Sequence, residues 1–287
     1  MAQTRKTNAS GPSVRPSPAP KPVRTISVTS GKGGVGKTNI VTNLAIALAQ
    51  AGQKVLVWDA DLGLANIDVL LGLKPAFNIH HLLAGEKSLT EILVQGPGGF
   101  KIMPASSGIE ELANLGEGQK MRLLSEFDDY DDDLDFLLID TGAGISSNVI
   151  YFNLAAQAVV VVVTPEPTSI TDAYALIKVM STRYNYKRFK ILPNQVTGPK
   201  EAKGVFSLLA NVSDQHLSSV ALDYIGFIPK DEHLLKSVRQ QRAVLDLYPS
   251  AEVSDNFTKL ARFFTQMPPE ESLDGNIRFF WKRMLKI

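Results

Sequence analysis

The chain has 287 residues, 44% of them hydrophobic, and a formal net charge of +1. That is enough for one large domain with a sizeable core, and too balanced for wholesale nucleic-acid binding. Cysteine is absent, which excludes disulfides, thiolate metal sites and iron–sulfur ligation. An unbroken apolar run such as 158–163 falls far short of the roughly 18 residues that cross a bilayer. Nothing near Met1 has the pattern of a signal peptide, so the expectation is a cytoplasmic protein.

Residues 1–24 carry five prolines, five basic residues and no acid. Such a segment cannot bury enough apolar surface to offset its chain entropy, so 1–23 is read as a disordered, basic, Pro-rich tail. From Arg24 onward β-rich runs alternate with helical patterns, and the main domain is expected to span 24–273. Strands are predicted at 24–29, 54–58, 101–103, 135–139, 158–163, 189–192 and 224–228, with helices at 38–51, 169–183 and 202–210. Several of the strands are continuous apolar runs, as happens when both faces of a sheet are covered. The fold class is therefore α/β: a mostly parallel twisted sheet with helices on both faces.

The first strand runs into Gly31-Lys32-Gly33-Gly34-Val35-Gly36-Lys37-Thr38, with Asn39 opening the helix that follows. Gly31, Gly36, Lys37 and Thr38 fill the phosphate-loop pattern. Glycines let consecutive backbone N–H groups face phosphate oxygens, and the helix N-terminus adds the positive end of its dipole. Lys37 supplies a point charge to the β- and γ-phosphates and Thr38 a hydroxyl to Mg²⁺. Asp59 and Asp61 follow the second strand, at the sheet edge where open α/β folds bind ligands, and alternate residues of an extended segment point the same way. Asp140 ends the strand 135–139 and precedes Gly142 and Gly144, a pattern suited to a Mg²⁺-bound water and a γ-phosphate sensor. The acidic run 128–135 is read as a solvated connection rather than a metal site.

Residues 274–287 end in a short cationic amphipathic helix. Ile277, Phe280, Trp281, Met284, Leu285 and Ile287 gather on one face opposite Arg278, Lys282, Arg283 and Lys286, with Phe279 the exception. Bulky aromatics beside basic residues suit an anionic membrane surface, each basic residue adding about 1 kcal/mol near the lipid. A terminal helix packed on the body is the alternative.

Lys32 together with Lys37, the pair Asp59 and Asp61, and Asp140-Thr-Gly-Ala-Gly resemble the deviant Walker A ATPases of the MinD/ParA type. The segments 59–73 and 166–178 narrow the likeness to the FlhG/FleN branch, which controls flagellar number and placement. The resemblance runs from about Arg24 to the end. It implies ATP and Mg²⁺ as cofactors and a homodimer formed with ATP. In that dimer Lys32 reaches across to the partner's phosphates, and Asp61 positions the attacking water. Thr38 then binds Mg²⁺ directly, with Asp59 and Asp140 acting through water. Asn194 contacts adenine, and Pro229 walls the base.

The resemblance also implies membrane targeting by the C-terminal helix, hence a protein that visits the inner face of the cytoplasmic membrane. A flagellar transcription regulator of the AAA+ type and the GTPase FlhF are the implied partners, with 169–183 as a partner face. The N-terminal Gln/Leu/Arg motif by which some members stimulate that GTPase is not found in residues 1–24. Gly142 stands where many relatives have Pro or Ala, which predicts a looser sensor loop. Two other outputs stay open: an anti-activator whose hydrolysis is a timer, and a ParA-like DNA-segregation ATPase. The last needs a basic patch that the sequence shows only at the termini.

Overall fold

The computed structural model describes residues 22–62, 66–105, 115–130, 133–217, 219–268 and 279–280. Its strands are β1 (Arg24–Ser30), β2 (Val55–Ala60), β3 (Val94–Gln95), β4 (Lys101–Met103), β5 (Phe136–Ala143), β6 (Ala158–Val163), β7 (Arg188–Val196), β8 (Ala221–Tyr224) and β9 (Ile228–Pro229). They form one sheet in the order β3-β4-β2-β5-β1-β6-β7-β8, with β9 paired to β7. Every pairing is parallel except β3 with β4. The helices are α1 (Lys37–Gln50), α2 (Ile67–Leu71), α3 (Ile79–Ala84), α4 (Leu89–Ile92), α5 (Glu117–Asp128), α6 (Ser147–Ala155), α7 (Pro167–Tyr184), α8 (Pro199–His216), α9 (Glu232–Arg239), α10 (Val244–Leu247) and α11 (Glu252–Gln266).

Alternation along the strands splits the core into layers. Val28, Val57, Leu138 and Val160 pack with Ile40 and Leu44 of α1 and Phe257 and Phe264 of α11. Their neighbours Leu56, Trp58, Leu137 and Ile139 face the opposite layer with Leu123 and Phe127 of α5 and Phe152 of α6. Val159, Val161 and Val163 join Leu176 of α7 and Leu209 of α8. The six residues of β6 are buried throughout, which accounts for its unbroken Ala-Val run. Both α7 and α8 begin with Pro at the first helical position, where the missing N–H costs no hydrogen bond. Arg24 at the start of β1 donates from Nη1 to the carbonyls of Phe264 (2.6 Å) and Thr265 (3.0 Å), tying α11 to the sheet.

The predicted parallel α/β sheet is present, with three differences. Strands β2 and β5 run on through Asp59 and through Asp140 to Ala143, so both acids lie within ladders rather than beyond them. Gly142 accordingly sits in an extended strand end. The predicted strand 224–228 is two short strands either side of 225–227, because β7 first pairs with β8 and then with β9. The acidic run is also more than a solvated connection. Lys54 bonds Asp133 through Nζ (2.7 Å) and Asp135 through its backbone N–H (2.9 Å), pinning the start of β2 beside β5. Among the described residues no helix is long and apolar enough to cross a membrane. Residues 1–21, and the terminal helix apart from 279–280, lie outside the described residues.

Candidate nucleotide site

β5 is inserted between β1 and β2, so the carboxyl ends of three strands meet where the chain changes direction across the sheet. A cavity of about 1020 Å³ opens there. Its wall includes Gly33, Gly36, Lys37, Thr38 and Asn39 from the loop, Asp61 after β2, and Gly142 and Ser146 after β5. Gly34 and Gly36 hold φ of 77° and 91°, a left-handed conformation that glycine adopts without strain. Gly36 precedes α1 with no side-chain cap, so the first N–H groups of the helix are available to an anion. Gly31 answers a different constraint. A Cβ there would stand 2.1 Å from the backbone of Asp172, so α7 lies directly against the loop.

Lys37 is buried, and its Nζ donates to Ser30 Oγ at 3.2 Å. Burial lowers its pKa, while the charges of Asp140 and Asp61 act in the opposite direction. Asp59 and Asp140 are partners in the β2–β5 register, and each is 1% exposed. Burial raises both pKa values. The Asp140 charge adds to the rise at Asp59, whereas Lys37 and a hydrogen bond with the Thr38 side chain oppose it at Asp140. Asp59 accepts from the backbone N–H groups of Asp61 (3.3 Å), Asn66 (2.9 Å) and Ile67 (3.0 Å), so it clamps the segment leading into α2. Asp140 Oδ1 is buried without a hydrogen-bond partner.

Two adjacent buried carboxylates, one with an orphaned oxygen, beside a lysine and a threonine hydroxyl form a donor set that fits Mg²⁺. Among the described residues no group of three or more His, Cys, Asp or Glu side chains makes a metal cage by itself. That also suits Mg²⁺, which is commonly held by one or two carboxylates together with substrate phosphates. Thr38, Asp59 and Asp140 are the residues that would hold it, and it would neutralise phosphate charge.

Residues 23–191 match the family model described as an AAA domain. The antiactivator FleN of Pseudomonas aeruginosa is 45% identical over 92% of this chain and 94% of its own length. The flagellum site-determining protein YlxH of Helicobacter pylori is 36% identical over 91% of this chain and 89% of its own. The chain belongs to the MinD-like ATPases, in the FlhG/FleN branch. Among solved structures, the cell division ATPase MinD of Pyrococcus furiosus superposes with a TM-score of 0.71 at 25% identity, covering 85% of this chain and 99% of that one.

As a MinD-like ATPase the chain hydrolyses ATP, and the fold brings Lys37, Thr38 and Asp61 to the cavity wall, with Asp59 and Asp140 paired and buried at the ends of the strands that lead to it. Lys32 is placed differently. It is 37% exposed, is absent from the cavity wall, and pairs with Glu166 Oε2 and with Thr168 Oγ1 at 3.1 Å. Three other expected site residues have partners of their own in this structure. The amide of Asn194, only 2% exposed, donates to the Val35 carbonyl at 2.6 Å and braces the back of the loop rather than facing the cavity. Pro229 is likewise not in the cavity wall; it is buried in β9 opposite Val196 of β7.

Phe280, expected on a membrane-facing side, is fully buried with Phe279 in this structure. Both rings pack on Phe127, at 5.1 Å for Phe279 and 5.8 Å for Phe280, and Phe279 also meets Trp58. The φ of Phe280 is 58°, in the left-handed region. Ile277, Trp281, Lys282, Arg283, Met284 and Leu285 lie outside the described residues.

The sequence reading missed the far wall of the cavity: Val69 and Leu70 of α2 with Val238 of α9 and Gln241. Gln241 donates to the Val69 carbonyl at 2.8 Å and holds α2 against the end of α9. No local pattern announces this contact, which spans more than half the chain. Glu166 entered the sequence reading only as the first residue of the segment 166–178, with no role of its own.

Proposed function

We propose that this chain is an ATP-driven dimerising switch that regulates flagellar number and placement, alternating between a free monomer and a membrane-bound dimer. The observation that carries the reading is the contrast between the two lysines of one loop. Lys37 is buried in the phosphate cradle, whereas Lys32 is half-exposed outside it and paired elsewhere. A lysine so placed is positioned to serve a second copy's phosphates. ATP is then a ligand shared by two subunits, and Asp61, beside Gly142 at the end of β5, orders the attacking water. Asn66 and Ile67, clamped by Asp59, carry the nucleotide state into α2.

Membrane association belongs to the same reading. The seat of Phe279 and Phe280 against Trp58 and Phe127 is the resting arrangement, and dimer formation releases the basic terminal segment to an anionic surface. Liposome co-sedimentation tests this with ATP, with ADP and with Lys32→Ala. Sedimentation is expected for the wild type with ATP alone; binding that ignores both nucleotide and substitution sinks the reading.

The similarity to an antiactivator, 45% over nearly the whole chain, favours a second output: repression of a flagellar transcription regulator of the AAA+ type. FlhF is the other proposed partner. If Asp61→Ala still represses such a regulator, binding rather than turnover is the output.

A further inference from the structure

We propose that Glu166, assisted by Thr168, is a latch that holds Lys32 in cis, and that dimer formation transfers the lysine from this carboxylate to phosphates bound by a second copy. The inference rests on the dimer-switch reading and adds the residue that sets its threshold.

Glu166 is the residue before the first turn of α7, and its side chain makes no capping bond to its own helix. Its carboxylate is therefore free to take Lys32 Nζ, and Thr168 Oγ1, two residues on, accepts a second hydrogen bond from the same ammonium. The main chains are held in register by the close approach of Gly31 to Asp172 and Ala173, so the N-terminal turn of α7 cannot drift from the loop. A lysine engaged by a carboxylate is neutralised as a phosphate ligand. It must leave Glu166 before its charge acts across an interface.

One hydrogen-bond chain links the two lysines. Lys37 donates to Ser30 Oγ, and Ser30 donates to the Lys32 carbonyl at 2.7 Å. Phosphates that draw Lys37 away from Ser30 therefore act on the same hydroxyl that holds the Lys32 carbonyl. The pair is partly exposed, 37% for Lys32 and 58% for Glu166, so the latch is weak enough to open without unfolding anything. The carboxylate left behind also faces incoming phosphate charge, which opposes dimerisation in the same direction.

The test is the monomer–dimer constant of the full chain in a non-hydrolysable ATP analogue, measured by analytical ultracentrifugation for wild type, Glu166→Gln, Lys32→Ala and the double variant. Glutamine keeps the shape and removes the charge. The expected result is dimerisation about 2–25-fold tighter in Glu166→Gln, from a few-fold at each of two latches. Half-maximal ATPase then shifts to lower protein concentration while kcat at saturating protein is unchanged. In the Lys32→Ala background Glu166→Gln has no effect. Weaker or unchanged dimerisation in Glu166→Gln overturns the latch, as does an equal gain in the Lys32→Ala background. A wild type that stays monomeric, or a Lys32→Ala that dimerises normally, overturns the parent reading instead.

Discussion

Trp58 and Asp59 are neighbours in β2, equally buried, and their surroundings have opposite chemistry. Trp58 turns into an aromatic cluster with Phe127, Phe152 and Phe279, at centroid separations of 5.4, 4.6 and 5.6 Å. Asp59 stands beside Asp140 among backbone donors at the nucleotide cavity. Strand alternation alone puts the two on different layers. The apolar seat draws its strength from area and shape, and the polar site from a few fixed charges. A single strand thereby touches both the phosphate chemistry and the place where residues 279–280 dock.

Breaking the aromatic side is expected to give the largest effect. Trp58→Ala removes the ring that four elements share and should cost about 3–5 kcal/mol in urea denaturation. Trp58→Phe should cost far less, because Nε1 of the indole is buried with no hydrogen-bond partner. An equal loss for both variants would mean that the indole itself is required.

The polar side sharpens the contrast through pH. The folded-state pKa values of Asp59 and Asp140 are raised above the unfolded value of about 4. The folded state therefore holds protons that the unfolded chain has released. Stability is greatest below the unfolded pKa and falls as pH rises from about 4 to about 6 for Asp140 and to about 8 for Asp59, by at most about 1.4 kcal/mol per pH unit for each group. Mg·ADP should flatten the fall, and Asp59→Asn should lessen it. A pH-independent denaturation midpoint in the nucleotide-free protein would show that the pair is not strained.

Two glycines near the site are expected to differ, one substitution being costly and the other giving the smallest effect. Gly31→Ala forces a Cβ into the backbone of α7 and should cost about 1–3 kcal/mol or more. The Cβ of Gly142→Ala meets Asp61 Oδ1 and Val149 at an ordinary 3.5 Å, so stability should change by less than about 0.5 kcal/mol. Thermal unfolding of the two variants side by side checks the order.

The comparison also explains what could be read in advance. Gly31 to Thr38 is a contiguous chemical pattern whose geometry is local: left-handed glycines, a helix start and a lysine. It was legible residue by residue. Asp59 and Asp140 were legible as acids ending apolar strands, since the sheet's ligand edge follows from the parallel topology. The seat for Phe279 and Phe280 was not. A helical wheel sorts the terminal residues by periodicity but carries no information about the cluster around Trp58, more than two hundred positions away. The contact of Asn194 with the loop was out of reach for a related reason. Asn194 lies inside β7 rather than after the strand 189–192, and which backbone group its amide meets depends on how closely β7 approaches the loop.

The sequence by itself determined the parallel α/β plan and the phosphate loop with its second lysine. It also determined the three acids, because each depends on residue type and short-range spacing. Only the tertiary structure decided that Lys32 rests on Glu166 outside its own cradle and that Asp59 clamps the start of α2. The tertiary structure likewise decided that α9 returns to wall the cavity and that two terminal phenylalanines are buried. Those outcomes come from long-range packing, in which a side chain's partner is chosen by whichever distant surface the fold brings within reach.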